Sequence, residues 1–535
     1  MRGVASNSIA GMTERARALS RAIFTRGCLA GIVVLGVHGT AFARAVAPPA
    51  DRGDLAAAYL RFERAVAAAP KDPATRRAVN EGFDALTGDF FAGRFDRALD
   101  RLAELEGDLS KEAPEAPRRS ERRFLAAHRI EFSPRIARAD DVRSIEVRAI
   151  ELEGADRDAG PRPTVEFVLR QGERTMRATP VADAPGLEGE SGGVRAVFAI
   201  DPPCAPGDVD VVLRFPALGD VQVGRISLFE QDPRALGAEI LARIERLADG
   251  GTADPSTLAS LRARHELIFG RFDRTKSADG LAHPTLVARA LADELAIAEA
   301  GGRPYARAGD VWRVLRVLGT EFPVRQFVPE GEGPFPLVVA LHGAGGDENL
   351  FFDGYGGGRL LEVARARGIA VVCPPTIPFG VSPNVLPKFL EELGRDVPFD
   401  PSRVGLVGHS LGAATASRLA VLRPESINGA VCIAGFSDLP RKVDAPPRMV
   451  YLAALDPLFP LEATRAAVDG AKARGGDVDL VVCPDEGHTL VVGEVIDQAI
   501  DWLLARSPRS TAKTAPTQSA PTTPATNTGV PASRE

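Results

Sequence analysis

Val404-Gly-Leu-Val-Gly408-His409-Ser410-Leu411-Gly412-Ala413 is the stretch that decides the fold. A short apolar run enters it, and a helix-like run continues through Leu422. Between them stands a serine at the G-x-S-x-G spacing. A strand that turns sharply into a helix lifts the serine hydroxyl above the end of a sheet, and glycine is required where backbone approaches backbone. Gly189-Glu-Ser191-Gly-Gly193 fits the same pattern but lies in a Gly-rich loop before a strand. Ser191 therefore lacks the context, and Ser410 is the candidate nucleophile.

A serine hydroxyl needs a base in hydrogen-bond reach, and the base needs a carboxylate to orient it. Downstream, Leu455-Asp456-Pro457 ends one apolar run and Glu486-Gly487-His488 follows the next. Serine, aspartate and histidine in that chain order, each past the end of a strand, meet on one rim of a parallel sheet. His488 is the candidate general base and Asp456 its orienting carboxylate, with Asp438 and Asp485 as rivals. The developing oxyanion needs N–H donors. Leu411, next to the serine, and Ala344, in His342-Gly343-Ala344-Gly345-Gly346, are the candidates. His342 and His409 are read as structural. The loops at 345–358 and 374–388, with Phe351, Phe352, Tyr355, Phe379, Asp347, Glu348 and Asp353, are expected to line the pocket.

Working outward, short apolar runs at Leu337–Leu341, Ile369–Cys373, Val404–Val407, Val431–Ala434, Met449–Leu455 and Val478–Cys483 alternate with helix-like segments. That alternation predicts an α/β domain over 303–506, with a mostly parallel sheet covered on both faces. Val311–Val317 and Val324–Val328 predict an antiparallel hairpin at its edge. Upstream, 44–125 and 233–302 read as helical. Leu55, Tyr59, Phe62 and Val66 share a helical face, and Phe91, Phe95, Leu99, Leu102 and Leu105 repeat the pattern. Period-two alternation over 126–232 predicts an antiparallel β-sandwich-like domain inserted between helical stretches that pack together. Residues 507–535, rich in Ser, Thr, Pro and Ala, read as a disordered tail.

Residues 303–506 resemble the α/β-hydrolase superfamily, on Leu-His-Gly-Ala-Gly-Gly at 341–346, Gly-His-Ser-Leu-Gly at 408–412, Asp456 and Glu-Gly-His at 486–488. Pro336 through Pro375 is similar to bacterial secreted esterases of the polyhydroxybutyrate-depolymerase and feruloyl-esterase-like group. That group usually has a small residue after the nucleophile, where this chain has Leu411. The resemblance implies a serine esterase acting on a small-molecule or polymeric ester through an acyl-enzyme. A serine peptidase of prolyl-oligopeptidase-like type and a non-catalytic binding protein on the same scaffold are the alternatives. The peptidases usually carry an aromatic residue after the nucleophile and a propeller upstream, and this chain has neither.

The chain has 535 residues, 45% hydrophobic, with 65 Lys+Arg against 71 Asp+Glu and a net charge of −6. This acidic balance argues against nucleic acid as a partner. Five cysteines are too few for a disulfide scaffold. Cys373, Cys432 and Cys483 read as buried thiols. There is no P-loop, zinc pattern or dinucleotide fingerprint, so neither metal nor organic cofactor is expected. Arg2, Arg15, Arg17, Arg21 and Arg26, then the apolar Cys28–Val37, then Ala41-Phe42-Ala43 follow the order of a cleaved signal peptide over 1–43. This implies a secreted or periplasmic protein, the alternative being a retained anchor. No run approaches the 18 apolar residues of a membrane span.

Overall fold

The computed structural model describes residues 47–69, 72–113, 116–154, 163–178, 194–201, 203–439 and 445–508. The signal segment 1–43, Ser191 and residues 509–535 of the tail lie outside the described residues.

Four helices open the described chain: α1 (Arg52–Ala68), α2 (Pro73–Phe91), α3 (Phe95–Leu109) and α4 (Pro117–Ala127). Asp51 caps α1 through a reciprocal capping box with Asp54. At α2 the Asp72 side chain accepts the Thr75 amide while Pro73 supplies a helical φ. The face expected to run from Phe91 to Leu105 is broken. Phe91 ends α2 and Phe95 begins α3, with Gly93 at φ +72° in the turn between them.

Strands β1 (His128–Ser133), β3 (Ser144–Glu151) and β6 (Val194–Ala199) form one sheet. β2 (Ile136–Arg138), β8 (Gly219–Phe229), β7 (Gly207–Phe215), β4 (Glu166–Gln171) and β5 (Arg174–Ala178) form a second, in that order. Their inner faces share a core that includes Ile145, Val147, Phe167, Leu169, Phe198 and Val211. Pairing is antiparallel except between β2 and β8. Cys204 is buried in this core, and it is a free thiol, as are Cys373, Cys432 and the half-buried Cys483.

Helices α5 (Pro233–Asp249), α6 (Pro255–Phe269), α7 (Ser277–Leu281) and α8 (Pro284–Glu299) follow. The two helical stretches do not merge into one bundle. The first has its core around Phe62, Val79, Phe83 and Leu102, with Leu490 from the C-terminal part of the chain. The second has its own, around Ile244, Leu261 and Leu291. The apolar faces find other partners: those of α1–α3 pack on each other and Leu490, those of α5, α6 and α8 on each other and Phe229 of β8.

The remaining chain builds an eight-stranded sheet from β9 (Gly309–Val317), β10 (Thr320–Val328), β11 (Phe335–Leu341), β12 (Ala370–Cys373), β13 (Phe399–His409), β14 (Gly429–Ile433), β15 (Arg448–Ala453) and β16 (Val478–Cys483). Its order is β16-β15-β14-β13-β11-β12-β10-β9. Pairs from β12 to β16 are parallel, whereas β10 runs against both β9 and β12. One face carries α9 (Arg359–Arg367) and α13 (Val491–Leu504). The other carries α11 (Val385–Leu393) and α12 (Leu411–Leu422), with α10 (Ile377–Val381) beside them. Strand β9 is an edge whose outward backbone groups would be exposed. Helix α6 covers it: Ser260 bonds both Val314 backbone groups (2.7 and 3.1 Å), Ser256 accepts the Arg316 amide (2.8 Å), and Arg264 donates to the Trp312 carbonyl (2.7 Å).

Candidate active site

The site begins at the β13–α12 turn. Ser410 sits at φ 54°, ψ −115°, a backbone that L-residues rarely adopt. A Cβ on Gly408 would lie 2.2 Å from the Gly412 carbonyl oxygen, and one on Gly412 only 1.8 Å from that of Leu341. Both glycines are therefore dictated by contact. The Ser410 amide donates to the Ile433 carbonyl on the neighbouring strand at 3.0 Å, which pins the turn to the sheet.

The structure brings the three predicted side chains together. His488 Nε2 lies 2.9 Å from Ser410 Oγ, and His488 Nδ1 lies 2.8 Å from Asp456 Oδ2. The other Asp456 oxygen accepts the amides of Leu458 and Phe459 (2.8 and 2.9 Å). Both carboxylate oxygens are thus engaged, and the side chain has no freedom to leave the imidazole. Phe459 stacks flat against the His488 ring. Neither rival carboxylate faces His488: Asp438 pairs with Arg474, and Asp485 lies near Arg77. All three members of the constellation are buried.

Leu411 is the first residue of α12, where a backbone N–H has no acceptor within the helix. Its side chain, 39% exposed, points away from the core. Ala344 is exposed and lines the same cavity as Ser410. Gly343 lies under Ser410: a Cβ placed on this glycine would come within 3.3 Å of the serine Cβ.

Tyr355 and His409 form a relay, where the sequence alone suggests no more than a pocket wall and a structural histidine. The Gly343 amide donates to Tyr355 Oη at 3.3 Å, Tyr355 Oη lies 2.6 Å from His409 Nδ1, and His409 Nε2 lies 2.8 Å from the His488 carbonyl. The carbonyl can only accept, so His409 carries its proton on Nε2 and takes the tyrosine hydroxyl at Nδ1. Burial holds His409 well below the usual imidazole range, and it stays neutral. His342 is buried and neutral for the same reason, bridging the Gly343 carbonyl and the Thr376 amide.

Helix α2, from the N-terminal region, holds the histidine loop. Arg76, Asn80 and Asp84 stand at i, i+4 and i+8 on one face. Arg76 makes a two-pronged pair with Glu486 (2.7 and 3.0 Å). Asn80 accepts the Gly487 amide (2.8 Å) and donates to the Asp485 carbonyl (3.0 Å). Asp84 accepts the His488 amide at 2.9 and 3.1 Å. Burial pushes the Asp84 carboxyl up to about 6, against the pull of those hydrogen bonds. Helix α1 holds the opposite loop: Arg52 donates to the Gly345 carbonyl, and Glu63 accepts the Gly356 amide (3.0 Å). The signal available in the sequence was the polar stripe of α2 interleaved with its buried Val79, Phe83 and Leu86.

A cavity of about 230 Å³ opens onto Ser410 and His488. Its walls differ from expectation. Tyr355, Asp347 and Asp353 line it, but Phe351 and Phe352 belong to one sheet core and Phe379 to the other. Glu348 is turned to the Trp312 indole. Among the described residues none of 374–388 lines it, and its far wall is α1 and α2. Those phenylalanines are drawn into the sheet cores because burying an aromatic ring there removes more apolar surface from water than leaving it at a cavity edge.

The fold is of the α/β-hydrolase type: a mostly parallel sheet, a strained serine turn after a central strand, and serine, aspartate and histidine converging in that chain order. No family model and no curated relative matches the chain. Solved structures to which it is similar include an S-formylglutathione hydrolase from Staphylococcus aureus (14% identity, 37% of this chain and 98% of that one, TM-score 0.33). A thermostable esterase matches at 17% identity over 70% of this chain and 98% of that one, TM-score 0.33. A feruloyl esterase module from Clostridium thermocellum matches at 14% identity over 38% and 93%, TM-score 0.31. Among the described residues no helix is long and apolar enough to cross a membrane.

Proposed function

We propose that the protein is a serine hydrolase that cleaves carboxylic esters through an acyl-enzyme. The observation that carries this reading is the unbroken chain from Asp456 to His488 to Ser410, at 2.8 and 2.9 Å, ending at a cavity wall. Ser410 Oγ attacks the ester carbonyl as His488 Nε2 takes its proton. The tetrahedral oxyanion is met by the amides of Leu411 and Ala344, whose loss one at a time is worth on the order of 10²–10³ in turnover. His488 then protonates the departing alcohol, and water repeats the sequence to release the acid. Asp456 holds the imidazole in the Nδ1–H tautomer and stabilises its cation. The basic, apolar, small-residue order of residues 1–43 supports export to the periplasm or medium.

The test is hydrolysis of p-nitrophenyl esters beside aminoacyl-p-nitroanilides, for the wild type and Ser410→Ala. We expect ester turnover that the substitution abolishes and no matching anilide turnover. Anilides cleaved as fast as esters would make the protein a peptidase, and full ester turnover in Ser410→Ala would remove the proposed nucleophile.

A further inference from the structure

We propose that the cavity between helices α1 and α2 and the serine turn is the seat for an unbranched apolar chain of the ester, of roughly six to ten carbons. This deepens the reading of Ser410 as an ester-cleaving nucleophile and rests on it. Leu55, Tyr59, Phe83, Leu86 and Phe90 supply the walls, and all five come from the two N-terminal helices. An apolar cavity of about 150 Å³ holds one benzene; at the same packing, 230 Å³ holds about nine carbons.

Of the four carboxylate and guanidinium groups around the cavity, two are ion-paired within the protein and two bond backbone groups. Arg52 donates to the Gly345 carbonyl, Arg274 pairs with Asp51 and Asp54, Asp353 pairs with Arg325, and Asp347 accepts the Asn349 amide. Two of the four are held in ion pairs, and most of the lining is carbon, so what the cavity offers a ligand is chiefly apolar surface. Two further lining residues, Phe91 and Leu458, stay 45% and 48% exposed. At the cavity's edge they add to the carbon surface that an apolar chain would meet. Ser410 and His488 line the same cavity as these apolar walls, so a chain seated there leaves its carbonyl at the nucleophile.

The chain belongs either to the acid or to the alcohol of the ester, and two series separate these sources. One is p-nitrophenyl esters from acetate through octanoate to hexadecanoate; the other is n-alkyl acetates from ethyl to octyl. Each methylene seated should raise kcat/KM about fourfold. We expect an optimum near eight carbons in one series, with octyl over two-carbon kcat/KM at or above about 100. Ala56→Trp, which plugs the lining, should lower that ratio at least tenfold, and Ala56→Phe should give an intermediate value. Labelling of Ser410 by a fluorophosphonate reports that each variant is folded. Flat profiles in both series, or an unchanged ratio in both variants, would overturn the chain seat while acetate turnover leaves the nucleophile standing. No turnover of any ester and no labelling would sink both.

Discussion

Replacing Asp84 with alanine leaves the His488 amide, now 2.9 Å from a carboxylate oxygen, facing a gap inside the protein. A buried N–H stranded in this way costs about 1–3 kcal/mol. The loop that carries the imidazole also loses its tie to α2, and a misplacement of about 1 Å at a reacting group can cost on the order of 10²-fold in turnover. Asp84→Asn keeps an acceptor at the same place and removes the charge. The pH dependence separates these two contributions. The Asp84 carboxyl titrates near 3.8 in the unfolded chain and near 6 in the fold, because burial disfavours its ionised form. Between those values the folded state binds more protons than the unfolded state, so stability falls as pH rises. The stabilisation is complete below about pH 4 and lost above about pH 6, and amounts to on the order of 3 kcal/mol. Urea unfolding at pH 4, 5, 6 and 7.5 should therefore show wild type losing ground to Asp84→Asn across that window. Kinetics on a short ester at pH 7.5 should show a fall in kcat of roughly 10- to 100-fold for alanine and recovery for asparagine. An alanine variant as stable and active as wild type, or a wild-type–asparagine difference that does not change with pH, would refute the role given to α2.

Asp456→Asn should lower kcat by on the order of 10⁴ with little change in fold, because the amide favours the wrong imidazole tautomer; steady-state kinetics beside circular dichroism checks both halves. Tyr355→Phe strands the Gly343 amide and His409 Nδ1 together, at about 1–3 kcal/mol each. Chemical denaturation should show a loss of that size, with a smaller fall in kcat than for Asp456→Asn.

The serine turn and the convergence of Asp456 and His488 on it were legible because each position is encoded locally. An apolar strand followed by a chemistry-bearing residue is a short-range pattern, and the sheet then brings three such strand ends to one rim. The reversed strand β10 was legible as the second arm of a hairpin from Val311–Val317 and Val324–Val328. Asn80 and Asp84 were not legible in the same way. Polar residues on a helix read as a solvated face, and only packing of α2 against 485–490 turns them inward. The cavity misreading has a related cause: Phe351, Phe352 and Phe379 follow strands at the expected places, yet hydrophobic burial draws them into the sheet cores. The separate cores of the two helical stretches depend on long-range partners, Leu490 for one and Phe229 for the other, which periodicity cannot reveal.

The central claim is that the Ser410 oxygen is made nucleophilic by His488. Exposure to a fluorophosphonate followed by intact-mass and peptide mass spectrometry measures this at the atom concerned. We expect a single adduct, on Ser410, formed more slowly by at least about 100-fold in His488→Ala and absent in Ser410→Ala. An adduct on another residue, or undiminished labelling of Ser410 without the imidazole, would contradict it.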